Sequence, residues 1–513
     1  MKANFSLPVE MRDGTRLSTI LFIPTKPSTF TTVLIRTPYS AKGYLGAVDA
    51  IRKVGSYTIV VQDTRGRYDS EGHFTPFKEK EDTLDTISWI KQQDWSNGRI
   101  IVMGPSYLGF VALQVLDDEG DSIDAIFAPM TFSRPYDGLV YRNGVLNLHW
   151  ALPWSIMTST RVQTSLARVN GTWPENFTGA LSEKVKSLGW PDHVWQQFLT
   201  PKATNDWMKD SAIISKPVKT RVCLIGGWFD FMLGATFSTF EDVVNAGGHP
   251  PDLILGPWGH NGYLQSLPGL GDFDFGKEGK ANAAADFMEL VKRSKTRAGQ
   301  YIRAYILRKD EWITLDSWPP NNDLVESQLL HLDTGFTLNP ESPITASEFD
   351  IHVDPSNPVP TIGGAVWEFP PHLEPGPADQ SSLNERRDVL RFFGEPATQP
   401  YTILGPITAN LWVKSDGPET HFTTKMLLED KEGKQRFLQD GIVSVKGPIE
   451  DYTQISVDML AIGIQIEQTE RIGFEVSWSN FPKYELLQTD GPSIQSVKSS
   501  AKQPSFVEIS ILE

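Results

Sequence analysis

Short apolar runs alternate with amphipathic stretches over the first part of the chain. Five of these runs have the length and composition of strands: RLSTILFIP, TTVLIRTP, SYTIVVQDTRG, RIIVMGPS and SIDAIFAPM. Between them, EKEDTLDTISWIKQQ carries Leu84, Ile87 and Ile90 at helical spacing, which predicts an amphipathic helix. Strands that alternate with helices are typical of a mostly parallel sheet covered on both faces. Residues 1–130 are therefore predicted to begin an α/β domain.

This alternation stops over residues 131–215, which are rich in Trp, Leu and polar helix formers, as in LVYRNGVLNLHWALPW and WPDHVWQQFL. Strand and loop patterns resume in TRVCLIGGWFD and PDLILGPWGHN, so residues 216–324 are predicted to complete the α/β domain. The intervening segment is then an all-helical insertion in a loop that follows a sheet strand. Insertions at such positions commonly form a lid or cap.

Residues 325–513 have a different pattern, with little helical periodicity. Short β-rich runs such as ESQLLHL, ITANLWVKS, HFTTKMLLED, RIGFEVSW and FVEISILE are separated by Pro, Gly and Asp turns. This spacing predicts an all-β sandwich or jelly roll, with long connections over residues 338–385.

Composition narrows the range of partners. The chain has 513 residues and a net charge of −16, which argues against nucleic acid or an anionic membrane as a partner and favours a small neutral or cationic ligand. Its single cysteine, Cys223, excludes an internal disulfide and a cysteine-rich zinc site, and its apolar neighbours predict a buried thiol. The N-terminal residues lack a signal-peptide pattern, and no apolar run is long enough to span a membrane. We therefore expect a cytoplasmic protein.

Chemically suggestive side chains follow four of the predicted strands: Tyr39, Ser106, Asp230 and His260. The carboxyl ends of parallel strands are where functional residues collect, and Ser, Asp, His is the chain order of one well-known hydrolytic triad. A serine hydroxyl needs a histidine to take its proton, and an aspartate orients the imidazole. The long gap between Ser106 and Asp230 is where the helical insertion lies.

Each of these side chains also has an ordinary structural explanation. A serine after Gly-Pro can be a turn residue, Asp230 can cap a helix, and His260 can be a packed ring. Tyr39 can be a half-buried aromatic residue at the end of a strand, which is the better explanation from the sequence alone. The usual elbow pattern G-x-S-x-G would need glycine at Leu108, whereas the chain has Gly109. Leu108 must then point away from the sheet or pack under the elbow, and Gly109 must supply the close approach of helix to strand.

Two other polar residues, His73 and Asp63, bear on this interpretation. His73, in RYDSEGHF, is the only histidine that competes with His260, but it precedes the serine and follows a polar turn, so a loop residue is predicted. Asp63 suggests an ion site, although a carboxylate paired with Arg65 or Arg67 is the better interpretation.

Several motifs occur together in a fixed order: IRTPY, VVQDTRGRYDSEGHF, GPSYLG, GGWFD and GPWGH, followed by DEWITLDSWPP, DPSNPVPTIGG, GPADQ, GPITANLWVKSDGPETHFTTK and SNFPKY. Through them the chain resembles the cocaine esterase and X-Pro dipeptidyl-peptidase group of serine hydrolases, whose elbow has the form G-x-S-Y-x-G. The resemblance implies an α/β-hydrolase core, an inserted helical cap after the sixth strand and a C-terminal jelly roll.

The same resemblance implies the roles of the site residues. Ser106 would be the nucleophile, Asp230 the acid and His260 the base. The hydroxyl of Tyr39 and the backbone N–H of Tyr107 would form the oxyanion hole, where two donors stabilise the developing negative charge.

The resemblance also implies an acyl pocket lined by aromatic residues of the cap. Trp150 stands where one of these residues is expected, and Trp154, one helical turn later, would face the same way. Phe231 and Met232 directly follow the acid. Simple core packing is the alternative explanation for these side chains.

We therefore expect a serine hydrolase that cleaves a small carboxylic ester through an acyl-serine intermediate. Acyl transfer to another nucleophile, or hydrolysis of an amide, would use the same residues. An aminopeptidase needs carboxylates for the substrate amine, for which Glu175 and Asp192 are candidates. A carbohydrate-binding protein with an inert core is disfavoured by the intact set of candidate residues. No cofactor and no metal are expected, and a homodimer is compatible with the sequence.

Overall fold

The structure, a computed structural model, describes the chain in nine segments: residues 1–26, 28–119, 122–162, 183, 193–199, 213–296, 299–367, 373–487 and 491–513. Residues before Val325 form a large mixed sheet with flanking helices, and residues from Val325 onward form a domain of β-strands. The α/β class with a C-terminal β domain predicted from the sequence is confirmed.

The first sheet runs through the α/β domain in the order β1-β2-β4-β3-β5-β6-β9-β10-β13-β14. Pairing is parallel from β4 to β13 and antiparallel at both edges. Strands β4 and β9 are buried along their whole length, as expected for strands covered on both faces. The strands up to residue 315 are β1 (Lys2–Glu10), β2 (Arg16–Ile23), β3 (Phe30–Thr37), β4 (Thr58–Asp63), β5 (Ser96–Met103), β6 (Ile123–Pro129), β7 (Tyr141–Arg142), β8 (Val145–Leu146), β9 (Arg221–Gly227), β10 (Asp252–Gly256), β11 (Gly269–Leu270), β12 (Phe273–Asp274), β13 (Ile302–Ile306) and β14 (Glu311–Leu315).

Helices cover this sheet and occur in the described part of the insertion. The described helices are α1 (Leu45–Val54), α2 (Lys80–Lys91), α3 (Tyr107–Leu113), α4 (Leu116–Glu119), α5 (Leu148–Thr158), α6 (His193–Leu199), α7 (Leu233–Ala246), α8 (His260–Gln265) and α9 (Ala283–Ser294). In the core, α1 packs against α9 and α2 packs against α3. The predicted amphipathic helix is α2, whose Ile87 and Ile90 are buried.

The insertion follows β6, the sixth strand of the chain. Its described part contains α5 and α6, which pack against each other, and a short hairpin of β7 and β8 that adds to the expected helices. Helix α5 is buried on all sides, including Pro153 at its centre. It therefore lies in the interior of the protein and not on its surface.

The β domain has a continuous hydrogen-bonded strand order of β17-β24-β19-β25-β15-β16-β18-β23-β20-β21, and β22 pairs with β19. Strand β17 lies within the segment expected to consist of long connections. The strands are β15 (Val325–Asp333), β16 (Thr337–Asn339), β17 (Ser347–Val353), β18 (Val389–Phe393), β19 (Tyr401–Ser415), β20 (Glu419–Glu429), β21 (Gln435–Lys446), β22 (Ile449–Ile466), β23 (Arg471–Ser477), β24 (Ser493–Ser499) and β25 (Phe506–Leu512).

Polar contacts attach the β domain to both the insertion and the core. Arg142, in the hairpin of the insertion, donates to the carbonyl oxygens of Asp440 (3.0 Å) and Asp458 (2.9 Å). The buried amide of Gln439 donates to the carbonyl of Trp228, at the end of β9. These contacts place the β domain beside the carboxyl edge of the first sheet.

Candidate active site

Ser106 lies in a sharp turn between β5 and α3. Its backbone has φ 58° and ψ −130°, a conformation that residues other than glycine rarely adopt and that requires support from the surroundings. The support comes from the end of β6 and the loop that follows it: the Ser106 N–H donates to the Pro129 carbonyl (2.8 Å), and the Thr131 hydroxyl donates to the Ser106 carbonyl (2.9 Å). The turn therefore holds a half-buried serine hydroxyl at the carboxyl edge of the sheet.

The late glycine of GPSYLG has a direct structural reason. A Cβ on Gly109 would lie 2.5 Å from the Thr131 hydroxyl and 2.7 Å from its Cβ, so the helix can approach the end of β6 only without a side chain there. Leu108 is buried and packs against Gly104, where a Cβ would lie 2.2 Å from the Leu108 Cβ. Both expectations for the departure from the usual elbow pattern are confirmed.

Asp230 and His260 form a buried hydrogen-bonded pair. Asp230 follows β9 and His260 begins α8 after β10, and because these strands are parallel neighbours their carboxyl ends meet. The Nδ1 of His260 lies 2.9 Å from Oδ1 of Asp230, and the two residues are 4% and 0% exposed. A carboxylate on Nδ1 fixes the ring orientation and favours Nε2 as the atom that accepts a proton.

Met232 connects this pair to Ser106. Its Sδ lies 3.8 Å from the Ser106 Oγ, while its backbone N–H donates to Oδ1 of Asp230 (3.1 Å). The neighbouring Phe231 ring lies 4.7 Å from the imidazole of His260, measured between ring centroids. Ser106, Asp230 and His260 therefore lie around one small apolar surface made by Phe231 and Met232.

Tyr39 enters the same region from the end of β3. Its hydroxyl oxygen accepts a hydrogen bond from Nε1 of Trp154 (2.6 Å), and its ring lies 6.5 Å from that of Tyr107. Burial raises the pKa of Tyr39 above its usual range, and the hydrogen bond from Trp154 offsets this only in part. The hydroxyl therefore keeps its proton at neutral pH and remains a donor.

Tyr107 is the first residue of α3, where a backbone N–H has no helical partner. Its side chain points into a buried polar contact: the hydroxyl donates to Oε1 of Glu79 and accepts from the N–H of Phe77 (2.7 Å). Burial raises the pKa of Glu79 to about 7, against opposing effects of the Tyr107 hydrogen bond and the charge of Arg36. The side chain of Tyr107 is thus fixed by hydrogen bonds of its hydroxyl to the Glu79 carboxyl group and the Phe77 N–H.

The aromatic residues proposed for the pocket belong to one stacked cluster. Trp154 stacks on Trp150 (5.3 Å between centroids, 22°) and on Tyr107 (5.2 Å, 30°). Phe231 and Met232 belong to the same buried cluster. The other rings that stack on or tilt against Trp154 are those of Phe74, Phe77 and Phe198.

The β domain contributes Trp367, which sequence reasoning missed. Its ring lies 6.0 Å from that of Phe231, and its backbone N–H donates to Nδ1 of His149 in the insertion (3.2 Å). It lies shortly after the family-like stretch DPSNPVPTIGG, with Ala365 and Val366 between them. The tryptophan in that position was the available signal, but nothing local indicated that it would reach the first sheet.

The remaining polar candidates have structural roles or lie outside the described residues. His73 is exposed, with its ring 5.8 Å from that of His193, as a loop residue would be. The expected pairing of Asp63 with Arg65 or Arg67 is wrong: Asp63 accepts from the N–H of Ala41 (2.6 Å). The two arginines are engaged elsewhere, Arg65 with Asp13 and Asp82, and Arg67 with backbone carbonyls. Glu175 and Asp192 lie outside the described residues.

Metal binding, membrane crossing and the single cysteine can also be addressed for the described residues. Within the described segments, no three His, Cys, Asp or Glu side chains come together in a way that would hold a metal ion. Over the same segments, no helix is long and apolar enough to cross a bilayer. Cys223 is buried, as predicted, and burial raises its pKa well above the usual value.

Comparison with known proteins accounts for nearly the whole chain. The family model described as X-Pro dipeptidyl-peptidase (S15 family) matches residues 13–262, and the model of the X-Pro dipeptidyl-peptidase C-terminal non-catalytic domain matches residues 291–508. Cocaine esterase from Rhodococcus sp. (strain MB1 Bresler) is 29% identical over 539 aligned residues, covering 94% of this chain and 92% of that protein. The chain is therefore built from the two domains of the X-Pro dipeptidyl-peptidase family. It is accordingly a serine hydrolase.

Solved structures of similar proteins share the fold of this serine hydrolase over its full length. An aminopeptidase from a marine sediment Thaumarchaeota archaeon has a TM-score of 0.83 at 21% identity, covering 100% of this chain and 96% of its own. An α-amino acid ester hydrolase has a TM-score of 0.81 at 21% identity, covering 99% of this chain and 96% of its own. The family thus accounts for the α/β-hydrolase core and the C-terminal jelly roll together.

Proposed function

We propose that this serine hydrolase cleaves carboxylic esters through an acyl-Ser106 intermediate. His260 takes the proton of Ser106 as Oγ attacks the ester carbonyl, and Asp230 holds the imidazole and stabilises its charged form. The oxyanion then accepts hydrogen bonds from the Tyr39 hydroxyl and the Tyr107 N–H. His260 gives the proton to the departing alcohol, after which water repeats the sequence on the acyl-enzyme. The buried Asp230–His260 pair, which Met232 links to Ser106, is the observation that supports this proposal.

The surface around Ser106 favours an apolar acyl group. Met232 lies against the serine hydroxyl, Phe231 lies against the imidazole, and Trp154 contacts Tyr39. These side chains offer apolar and aromatic contacts, which gain free energy when they bury an alkyl or aryl group. We therefore propose an alkanoyl or aroyl ester as the substrate class.

Amide hydrolysis is the main alternative, because the matching family models are named for X-Pro dipeptidyl-peptidase. A peptidase of this kind must bind a free α-amine with carboxylates. Of the carboxylates described close to the site, Asp230 is bonded to His260 and Glu79 is bonded to the side chain of Tyr107. Both of these carboxyl groups already have a partner, which supports esters without a free amine as the proposed substrates.

A panel of p-nitrophenyl esters, aminoacyl esters and aminoacyl anilides tests this proposal. The alkanoyl and aroyl esters should give a burst of about one p-nitrophenol per active site, followed by slower turnover. Ser106→Ala should remove both phases. Turnover by Ser106→Ala equal to that of the wild type would contradict the proposal. Faster cleavage of the anilides than of the esters would identify a peptidase instead of an esterase.

Transfer to another acceptor is tested by product analysis. Because the acyl-enzyme is the same, only the acceptor decides between hydrolysis and transfer. At high concentrations of alcohols, amines or thiols, a hydrolase should release mainly the free acid. A product that contains the acceptor would identify an acyltransferase instead.

A further inference from the structure

Trp154 contacts both residues of the candidate oxyanion hole. Its Nε1 lies 2.6 Å from the hydroxyl oxygen of Tyr39, and its ring stacks on that of Tyr107. It is 1% exposed and lies on α5, a helix of the insertion, whereas Tyr39 and Tyr107 belong to the α/β core. A single cap residue thus joins two core residues that approach the reacting centre from different strands.

The chemistry of the two polar groups fixes the direction of this hydrogen bond. An indole N–H can only donate, so the Tyr39 oxygen must accept. A phenolic O–H prefers the plane of its ring and has two directions there. Because the indole N–H occupies one side, the Tyr39 proton is turned to the other. Among the described residues that proton meets no acceptor, which leaves it available to a ligand.

We propose that Trp154 is a positioning residue for the oxyanion hole, which it serves by orienting the Tyr39 proton. This inference rests on the proposed function, in which Tyr39 donates to the oxyanion. The charge develops only as Oγ attacks, so a correctly directed donor lowers the barrier of the chemical step more than it improves binding of the ester. Trp154 would then link the shape of the cap to the rate of acylation.

Trp154→Phe tests this directly, because phenylalanine keeps an aromatic ring in the cluster and removes only the donor and some volume. Loss of one orienting hydrogen bond should lower kcat for a p-nitrophenyl alkanoate about tenfold, with KM changed less than about twofold. Tyr39→Phe removes the oxyanion donor itself and should lower kcat about 100-fold. Rates are expressed per site titrated with a fluorophosphonate, so that misfolded protein does not count.

Trp195→Phe is the matched control. Trp195 lies on α6 in the same buried aromatic cluster, and its indole N–H has no hydrogen-bond partner among the described residues. The replacement removes an equal volume from the same cluster and should leave kcat within about twofold of the wild type. An equal loss in both variants would mean that packing, and not the hydrogen bond, carries the effect.

The double variant decides whether Trp154 acts through Tyr39. With Tyr39→Phe already present there is no proton to orient, so adding Trp154→Phe should change kcat less than about twofold. An additional tenfold loss in that background, or no loss in the wild-type background, would overturn the inference. If Ser106→Ala and Tyr39→Phe both kept wild-type turnover, the proposed function would fail instead.

Discussion

Replacing Glu79 by glutamine should stabilise the protein at alkaline pH and change it little in acid. Glu79 is 3% exposed, and of its two carboxylate oxygens Oε1 accepts from Tyr107 while Oε2 has no partner among the described residues. The charge of Arg36, which donates to the Glu79 backbone carbonyl (3.0 Å), acts to lower the pKa of Glu79. Burial dominates these effects and raises the pKa from 4.5 to about 7.

The sign and size of the effect follow from the difference between the pKa of Glu79 in the folded protein and its pKa in the unfolded chain. Because the folded protein holds the Glu79 proton more tightly than the unfolded chain, the resulting stability is present below pH 4.5 and is lost as the pH rises through about 7. One pKa unit corresponds to about 1.4 kcal/mol, so the full loss is about 3–4 kcal/mol. Glutamine resembles the neutral acid and cannot ionise. Most of the stability that the variant gains over the wild type should therefore appear between about pH 5 and pH 8.5.

Thermal unfolding at these two pH values measures the gain. For a cooperative unit of domain size, the variant should exceed the wild type by about 5 °C more at the higher pH than at the lower. Glu81→Gln, in the first turn of α2 just after Glu79 and with a side chain 59% exposed, is the control and should show no such trend. A difference in Tm that is equal at both pH values would refute the assignment of Glu79 as a carboxyl that resists ionisation.

Two further changes test the elbow and the contribution of the β domain. Gly109→Ala places a Cβ 2.5 Å from the Thr131 hydroxyl and should lower the free energy of unfolding, measured by thermal unfolding, by about 1–3 kcal/mol. The control is Gly46→Ala in α1, where the space around the Cβ position is open and no loss is expected. Equal effects of the two changes would contradict the close approach of α3 to Thr131. Trp367→Ala should lower kcat/KM about tenfold for aroyl esters and much less for acetyl esters, and a uniform loss across the ester panel would show that Trp367 does not line the acyl pocket.

The parts of the fold and site that could be predicted depend on local pattern. Strands β3, β5, β9 and β10 each contain an apolar run, and each is followed closely by one of the candidate side chains Tyr39, Ser106, Asp230 and His260. Because parallel strands bring their carboxyl ends to one edge, the order of Ser106, Asp230 and His260 along the chain was enough to place them together. The GPSYLG elbow could be predicted because the helix after Ser106 needs one glycine, Gly109, where it approaches the neighbouring strand.

The parts that could not be predicted depend on partners far away in sequence. Strand β21 contains Gln439 and Asp440, buried polar residues that break the apolar pattern of a strand. They are tolerated because Gln439 donates to the carbonyls of Trp228 and Ala461 (2.8 Å), and Asp440 binds Lys483 (2.7 Å). Glu79 lies in the charged stretch FKEKED, where composition predicts exposure, and only the folded chain places Tyr107 against it.

The most direct test of the central claim is the mass of the protein after reaction with a fluorophosphonate ester. One adduct should form on each chain, and peptide mapping should place it on Ser106. Ser106→Ala should form none, and His260→Ala should react far more slowly, because the serine would lack its base. An adduct on another residue, or full ester turnover by Ser106→Ala, would contradict Ser106 as the nucleophile of this hydrolase.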